Sequence, residues 1–272
     1  NLLWVFLTCV GPWLGRYHRS HMKPTFDYTQ DQFRDLVHNA LQHAKRLGAS
    51  DAAAEASEGF GLSVSVRKGE LETVERNRDK ALGVTVYLGQ RRGNASTSDF
   101  SIEAVHQAVQ AAYDIARFTA EDPAAGLPEP DVMATDHRDL DLFHPWDVTA
   151  SQAAELARAA EAAALDTDAR ITNSEGAGVS AQHSHFFSAH SRGFEGGFAS
   201  TRHSLSVAPI ASLGEDMQRD AWYTSMRRSQ DMASPEAVGR YAAERALSRL
   251  QARKIPTTEC PILFEAPLAA GL

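Results

Sequence analysis

Leu62-Ser-Val-Ser-Val66, Leu71 to Val74 and Gly83-Val-Thr-Val-Tyr-Leu88 are three alternating or β-branched runs, set off by the turn residues Lys68-Gly69-Glu70 and Gln90-Arg-Arg-Gly93. Alternation of this kind places one side chain in two on a buried face, and the glycine-containing breaks supply turns, so the stretch predicts an antiparallel meander continuing into Asn94-Ala-Ser-Thr-Ser98. Working outward, Phe33, Leu36, Val37, Ala40, Leu41 and Ala44 recur at helical spacing from Thr29 to a capping Gly48. Downstream, Ser101 caps a helix with Ile102, Val105, Val109, Ala112, Ile115 and Ala116 on one face. Helix, strands and helix make an α+β unit over 23–121.

The plan then repeats. Residues 122–147 are rich in Pro, Asp and Gly and read as a linker. A helix follows from Thr149 to Leu165, then strand-like runs at Gly178 to Ser188, Gly197 to Pro209 and Arg219 to Met226, then a helix opened by Pro235. The fold class is therefore α+β, with two helix-flanked, mostly antiparallel sheet units at 23–121 and 148–255. Residues 256–272 begin a further domain, in which Ile262-Leu-Phe reads as a buried strand carrying Cys260 beside it, with Pro267 opening a helix. Residues 1–22 read as a leader or cloning-derived segment with Met22 as the natural start; a secretion signal is the competing reading of the apolar run Leu2 to Leu14.

The formal net charge of −8 argues against a nucleic-acid surface, two cysteines cannot make a disulfide framework, and no stretch is long and apolar enough to span a bilayer. Cysteine usage favours a reducing cytoplasm. The chain has no Walker loop, Cys-x-x-Cys, Gly-x-Ser-x-Gly or His-Glu-x-x-His. One cluster could bind metal: on a strand His183 and His185 face the same side, with His190 and His203 further on, against which stands solvated imidazole on an exposed face. Thr201-Arg-His-Ser204 collects a guanidinium, an imidazole and hydroxyls, but adjacent strand residues point apart, so His203 and Ser204 should not meet. Glu215-Asp216 beside Gly214 reads as a hairpin tip, and Asn173-Ser-Glu-Gly-Ala-Gly178 as a polar segment between helix and strand.

Asn173-Ser-Glu-Gly-Ala177, Ser200-Thr-Arg-His-Ser-Leu-Ser206, Arg219-Asp-Ala-Trp-Tyr-Thr224 and Leu247-Ser-Arg-Leu250, in this order, resemble landmarks of the PmbA (TldE) branch of the TldD/PmbA family. Ala54-Glu-Ala-Ser57, Leu62 to Lys68 and Gly83-Val-Thr-Val86 are similar to its N-terminal domain, so the resemblance covers 26–272. It implies a bacterial cytosolic metalloprotease assembly, in which a TldD-like catalytic subunit pairs with a PmbA-like one and a C-terminal β-rich domain follows the part seen here. The TldD partner carries zinc on a His-Glu-x-x-x-His motif. By register that motif falls on Glu265 to Ala270, where Glu265 and Ala270 replace the histidines and Ala266 the glutamate.

The resemblance thus implies a subunit with no catalytic residue and no zinc of its own. It would act on unfolded or small peptides, including peptide precursors and antitoxins, with Arg202, His203 and Ser204 as candidates along the peptide path. Two alternatives stay open: a regulatory protein acting on DNA gyrase through protein contacts, and a self-sufficient metal enzyme using His183, His185 and His203.

Overall fold

The structure, a computed structural model, describes residues 25–271 apart from 135 and 137; the expected leader at 1–22 lies outside the described residues. Helix α1 (Gln30–Arg46) starts at a reciprocal Thr29–Gln32 capping box and ends at Gly48, whose φ of 92° suits a residue without Cβ. Strands β1 (Asp51–Arg67), β2 (Glu70–Leu88) and β3 (Arg91–Thr97) form the meander, and Ser101 caps α2 (Ile102–Phe118). After the linker come α3 (Ala150–Leu165), β4 (Ile171–His190), the two-residue β5 (Glu195–Gly196), β6 (Ala199–Leu213), β7 (Asp216–Arg219), β8 (Trp222–Met226) and α4 (Pro235–Ser248).

The sheets of the two units are joined. Strand β1 pairs antiparallel with β2 on one side and with β4 on the other, giving one sheet of order β3-β2-β1-β4-β6-β7, with β8 also on β6 and β5 on β4. Even-numbered residues of β1 all point to the side of the sheet that carries the helices. Ala52, Ala54 and Ala56 pack under α1 and α2, and Leu62, Val64 and Val66 under α3 and α4, so two apolar cores sit side by side on one face.

Three expectations are corrected. The runs 71–74 and 83–88 belong to one strand: from Glu70 to Asp79 every residue of β2 is exposed, so no burial alternation survives to mark it. Asn173 to Gly178 lies inside β4 as a bulged stretch, where Gly176 has φ 116° and a Cβ would meet the Val66 carbonyl at 2.6 Å. Ile262 to Phe264 form no strand: Leu263 is 98 % exposed and Cys260 is exposed, because no strand among the described residues lies beside them. Pro267 does open a short helix, α5 (Ala266–Ala269).

Buried Glu161 of α3 locks the first hairpin to the helical layer. The turn needs positive φ at Lys68 (52°) and Gly69 (76°), which aims both amides the same way; they donate to Glu161 Oε1 and Oε2 at 2.9 and 2.7 Å. Arg158 Nε donates to the Gly69 carbonyl at 2.7 Å. An amide offers one oxygen where the carboxylate offers two, so Glu161→Gln should lower unfolding free energy by about 2 kcal/mol, read by urea denaturation.

Candidate functional site

Between the two helix pairs the inward positions of the sheet turn polar. Glu58 and Phe60 on β1, His183 and His185 on β4, and Thr201 and His203 on β6 form a band across three strands. Two segments cover it. The first is residues 25–29: the Asp27 and Tyr28 amides donate to Glu58 at 2.7 and 3.1 Å, Arg78 donates to Glu58 at 2.7 Å, and Phe26 packs on Phe60, Phe143 and His185. The second is 142–146: the Thr201 amide donates to the Leu142 carbonyl at 3.0 Å, the His144 amide to Thr201 Oγ1 at 3.0 Å, and the Trp146 amide to His183 Nε2 at 3.3 Å. Glu58 is 2 % exposed and His203 fully buried, so the band is interior structure.

Each imidazole has a defined role here. His185 Nε2 meets Glu58 Oε2 at 3.3 Å while Gln30 donates toward its Nδ1 at 3.4 Å. His203 Nε2–H donates to the His144 carbonyl at 2.9 Å. His183 accepts from Trp146, and its ring stacks on Phe60 with centroids 4.7 Å apart. The Nδ1 atoms of His183 and His203 are buried without hydrogen-bond partners among the described residues. The solvated-imidazole expectation for His183 and His185 is therefore corrected: each is only 4 % exposed, because inward parity on β4 carries them under the covering segments. The three rings share a face but are already engaged, and the described residues contain no group of three or more His, Cys, Asp or Glu positioned to hold a metal ion.

Burial pushes the His183 imidazole down to about 4, with neighbouring His203 adding to the effect. Burial also lowers His185, against the opposing pull of Glu58, and lowers His203. An imidazole lowered in the folded state binds fewer protons there than in the unfolded chain. For His183, stability is therefore held above about pH 6.5 and falls as pH drops toward 4, by up to about 1.4 kcal/mol per pH unit, and the lowered His185 and His203 act with the same sign. Protonated His183 could not accept from the Trp146 amide, which gives the same sign. Denaturation midpoints should fall between pH 7 and pH 5, and His183→Gln, which keeps an acceptor, should flatten that dependence.

The other face of the sheet carries none of the four long helices. It presents small polar residues, many in cross-strand pairs: Ser180 with Ser204 at 2.7 Å, Ser184 with Ser200 at 3.2 Å, Ser65 with Thr73 at 2.8 Å. Arg202 is exposed there and donates to Ser225 Oγ at 2.9 Å. Of the peptide-path candidates, Arg202 and Ser204 thus lie on the open face while His203 lies on the covered one, the separation that strand alternation requires. Gly214 and Glu215 form the β6–β7 turn, with Gly214 at φ 62°. Glu58, Arg78 and Glu161 were not singled out from sequence. Glu58 had a signal, a carboxylate at the inward parity between Ala56 and Leu62.

Comparison with known proteins places both units among metallopeptidase domains. Residues 52–116 match PmbA/TldA metallopeptidase domain 1, and residues 143–250 match the PmbA/TldA metallopeptidase central domain. The chain belongs to the PmbA/TldD metallopeptidase family, in its PmbA branch. It is 46 % identical over 242 residues to metalloprotease PmbA of Escherichia coli O157:H7, covering 88 % of this chain and 54 % of that protein. A Haemophilus influenzae metalloprotease PmbA homologue is 39 % identical over 257 residues, covering 92 % and 57 %. The chain thus spans about half the length of these relatives.

Two crystal structures share the fold. One, from Bacteroides thetaiotaomicron and described as a modulator of DNA gyrase, aligns with TM-score 0.73 at 23 % identity over 83 % of this chain and 52 % of that one. The other, TldE from Thermococcus kodakarensis, aligns with TM-score 0.60 at 14 % identity over 79 % and 47 %. Among the described residues no helix is long and apolar enough to cross a membrane.

Proposed function

We propose that this chain belongs to a PmbA/TldE-type subunit of a heteromeric, cytoplasmic zinc peptidase, which shapes the peptide path while a TldD-like partner supplies the zinc site. One observation carries the reading. At the register of the family's zinc motif stand Glu265, Ala266 and Ala270, and both Glu265 oxygens take hydrogen bonds from Arg245, at 2.7 and 3.2 Å. A methyl group neither ligates zinc nor acts as a base, and a carboxylate paired to a guanidinium is a poor ligand. The donors present do not fit the metal, so no step of peptide hydrolysis is assigned to these residues.

The open face supports the substrate side of the reading. A half-buried wall of serines and glycines has few side chains with which to distinguish one sequence from another, which suits unfolded peptides, small precursors and labile antitoxins. Arg202 and Ser204 are the residues we place along it, with His203 behind them holding the 142–146 segment. A regulatory role on DNA gyrase is the second reading, favoured by the description of the Bacteroides neighbour.

The test is zinc content and hydrolysis of an unfolded peptide by the full-length protein, alone and mixed with its TldD-like partner. Zinc and activity that appear only in the mixture are expected. Zinc and activity in the isolated protein would return attention to His183, His185 and His203, and a mixture without activity would favour the regulatory reading.

A further inference from the structure

From Glu70 to Ala81, β2 has β1 on one side and, among the described residues, no strand on the other, since β3 pairs only with Leu82 to Leu88. The side chains along this free edge are sorted by sign. Val74, Arg76, Arg78 and Lys80 stand opposite Val64, Leu62, Phe60 and Glu58 and share the helix-bearing face. Thr73, Glu75, Asn77 and Asp79 stand opposite Ser65, Ser63, Gly61 and Gly59 on the open face. Arg78 and Lys80 are held by their own neighbours, through Glu58 and Asp27 in one case and the Tyr28 and Phe100 rings in the other. Arg76 and Glu75 are exposed and make no ion pair among the described residues.

Charges on an edge strand commonly serve to block unwanted pairing, and here they block one kind specifically. In an antiparallel pair, residues directly opposite share a face. If two copies of this chain met through β2 in a register centred on Asn77, Arg76 of each copy would face Arg78 of the other, and Glu75 would face Asp79. In the neighbouring antiparallel registers cations still meet cations: centred on Arg76, that residue faces its own copy, and centred on Arg78, Arg78 faces its own copy while Arg76 faces Lys80. A strand of the opposite sense meets no such penalty. One with acids on the helix side and bases on the open side places an opposite charge against each charged position of the edge. On the helix side its acids would lie at Arg76, which lines a cleft of roughly 200 Å³ together with Phe60, Leu62 and Trp146.

We propose that the β2 edge from Glu70 to Ala81 is a docking site for an extended segment of another protein, added antiparallel to β2 and alternating acidic with basic side chains. Main-chain hydrogen bonds would supply the affinity and the two rows of charge the selection. This surface is separate from the wall carrying Arg202 and Ser204 and does not depend on the peptidase reading.

The experiment uses the full chain, a fluorescent peptide of five Glu-Lys repeats, and a control of identical composition with five glutamates followed by five lysines. Anisotropy should show the alternating peptide binding about ten-fold tighter than the block peptide, and Arg76→Glu should weaken it about five-fold. With the alternating peptide bound, amide exchange should slow within 70–81. Equal binding of the two peptides, no binding of either, no effect of Arg76→Glu, or slowed exchange elsewhere would overturn the proposal. Protection of 70–81 in a peptide-free dimer would assign the edge to a second copy and overturn it equally.

Discussion

Replacing Glu58 with alanine is expected to lower unfolding free energy by about 3 kcal/mol, because the Asp27 and Tyr28 amides and the partly exposed Arg78 lose a buried charged acceptor. The carboxylate accepts from the Asp27 and Tyr28 amides and from Arg78, and His185 lies against it at 3.3 Å. With side-chain exposures of 1 % for Glu58 and 4 % for His185, water cannot take over their contacts without opening the covering segment. For a chain of this length the loss corresponds to a fall in melting temperature of roughly 10 °C. Glu58→Gln should cost less, since one oxygen remains for the amides, but it removes the charge that Arg78 faces. Exchange measurements separate this from general softening: the Asp27 and Tyr28 amides should lose protection first, while the amides of α3 and α4 hold theirs. A Glu58→Ala protein as stable as the parent would mean that the 25–29 segment is not fastened at this carboxylate.

The sequence signal at Glu58 was weak for the same reason that hid part of the fold. Periodicity reports burial, so elements with an ordinary one-sided burial pattern were legible. Helices α1, α2 and α4 were read from Thr29, Ser101 and Pro235, where capping chemistry is local. The first eleven residues of β1, Asp51 to Gly61, were not read as strand, because alanines at Ala52, Ala54 and Ala56 give a weak apolar signal even though all three are buried. The outer half of β2 was cut from its inner half because it has no buried side at all.

The union of the two sheets rests on β1 pairing with β4, more than a hundred residues away, and no local pattern encodes that partner. The same pairing converts His183 and His185 from apparent surface residues into buried ones, since it sets Phe60 beside His183 and Glu58 beside His185. The separation of His203 from Ser204 was legible, because strand alternation alone decides it. Ile262 to Phe264 show the converse: apolar composition marks a segment suited to burial but does not provide the surface that would cover it.

Gly239→Ala sets two effects of opposite sign against each other. In an exposed helix interior, alanine is better than glycine by about 1 kcal/mol, so propensity predicts a gain. The packing of α4 on α3 predicts a loss. The α3 side of this contact is built from alanines, Ala153, Ala157, Ala160 and Ala164, and α4 answers with Val238, Ala242, Ala243 and Ala246, so the helices approach closely. A Cβ on Gly239 would lie 2.2 Å from the Ala160 carbonyl oxygen and 3.0 Å from both Ala163 Cβ and the Ala164 nitrogen. Backbone cannot rotate away as a side chain can. Relief requires the helices to separate, and that loosens every alanine contact along the seam. Overpacking of this kind costs up to about 3 kcal/mol, so the loss should exceed the propensity gain and leave a net destabilisation of about 2 kcal/mol in urea. Because the tightest contact is with a carbonyl, Ala163→Gly should not rescue the variant, whereas a side-chain clash would be relieved by it. Stabilisation by Gly239→Ala would show that α3 and α4 sit further apart than this geometry requires.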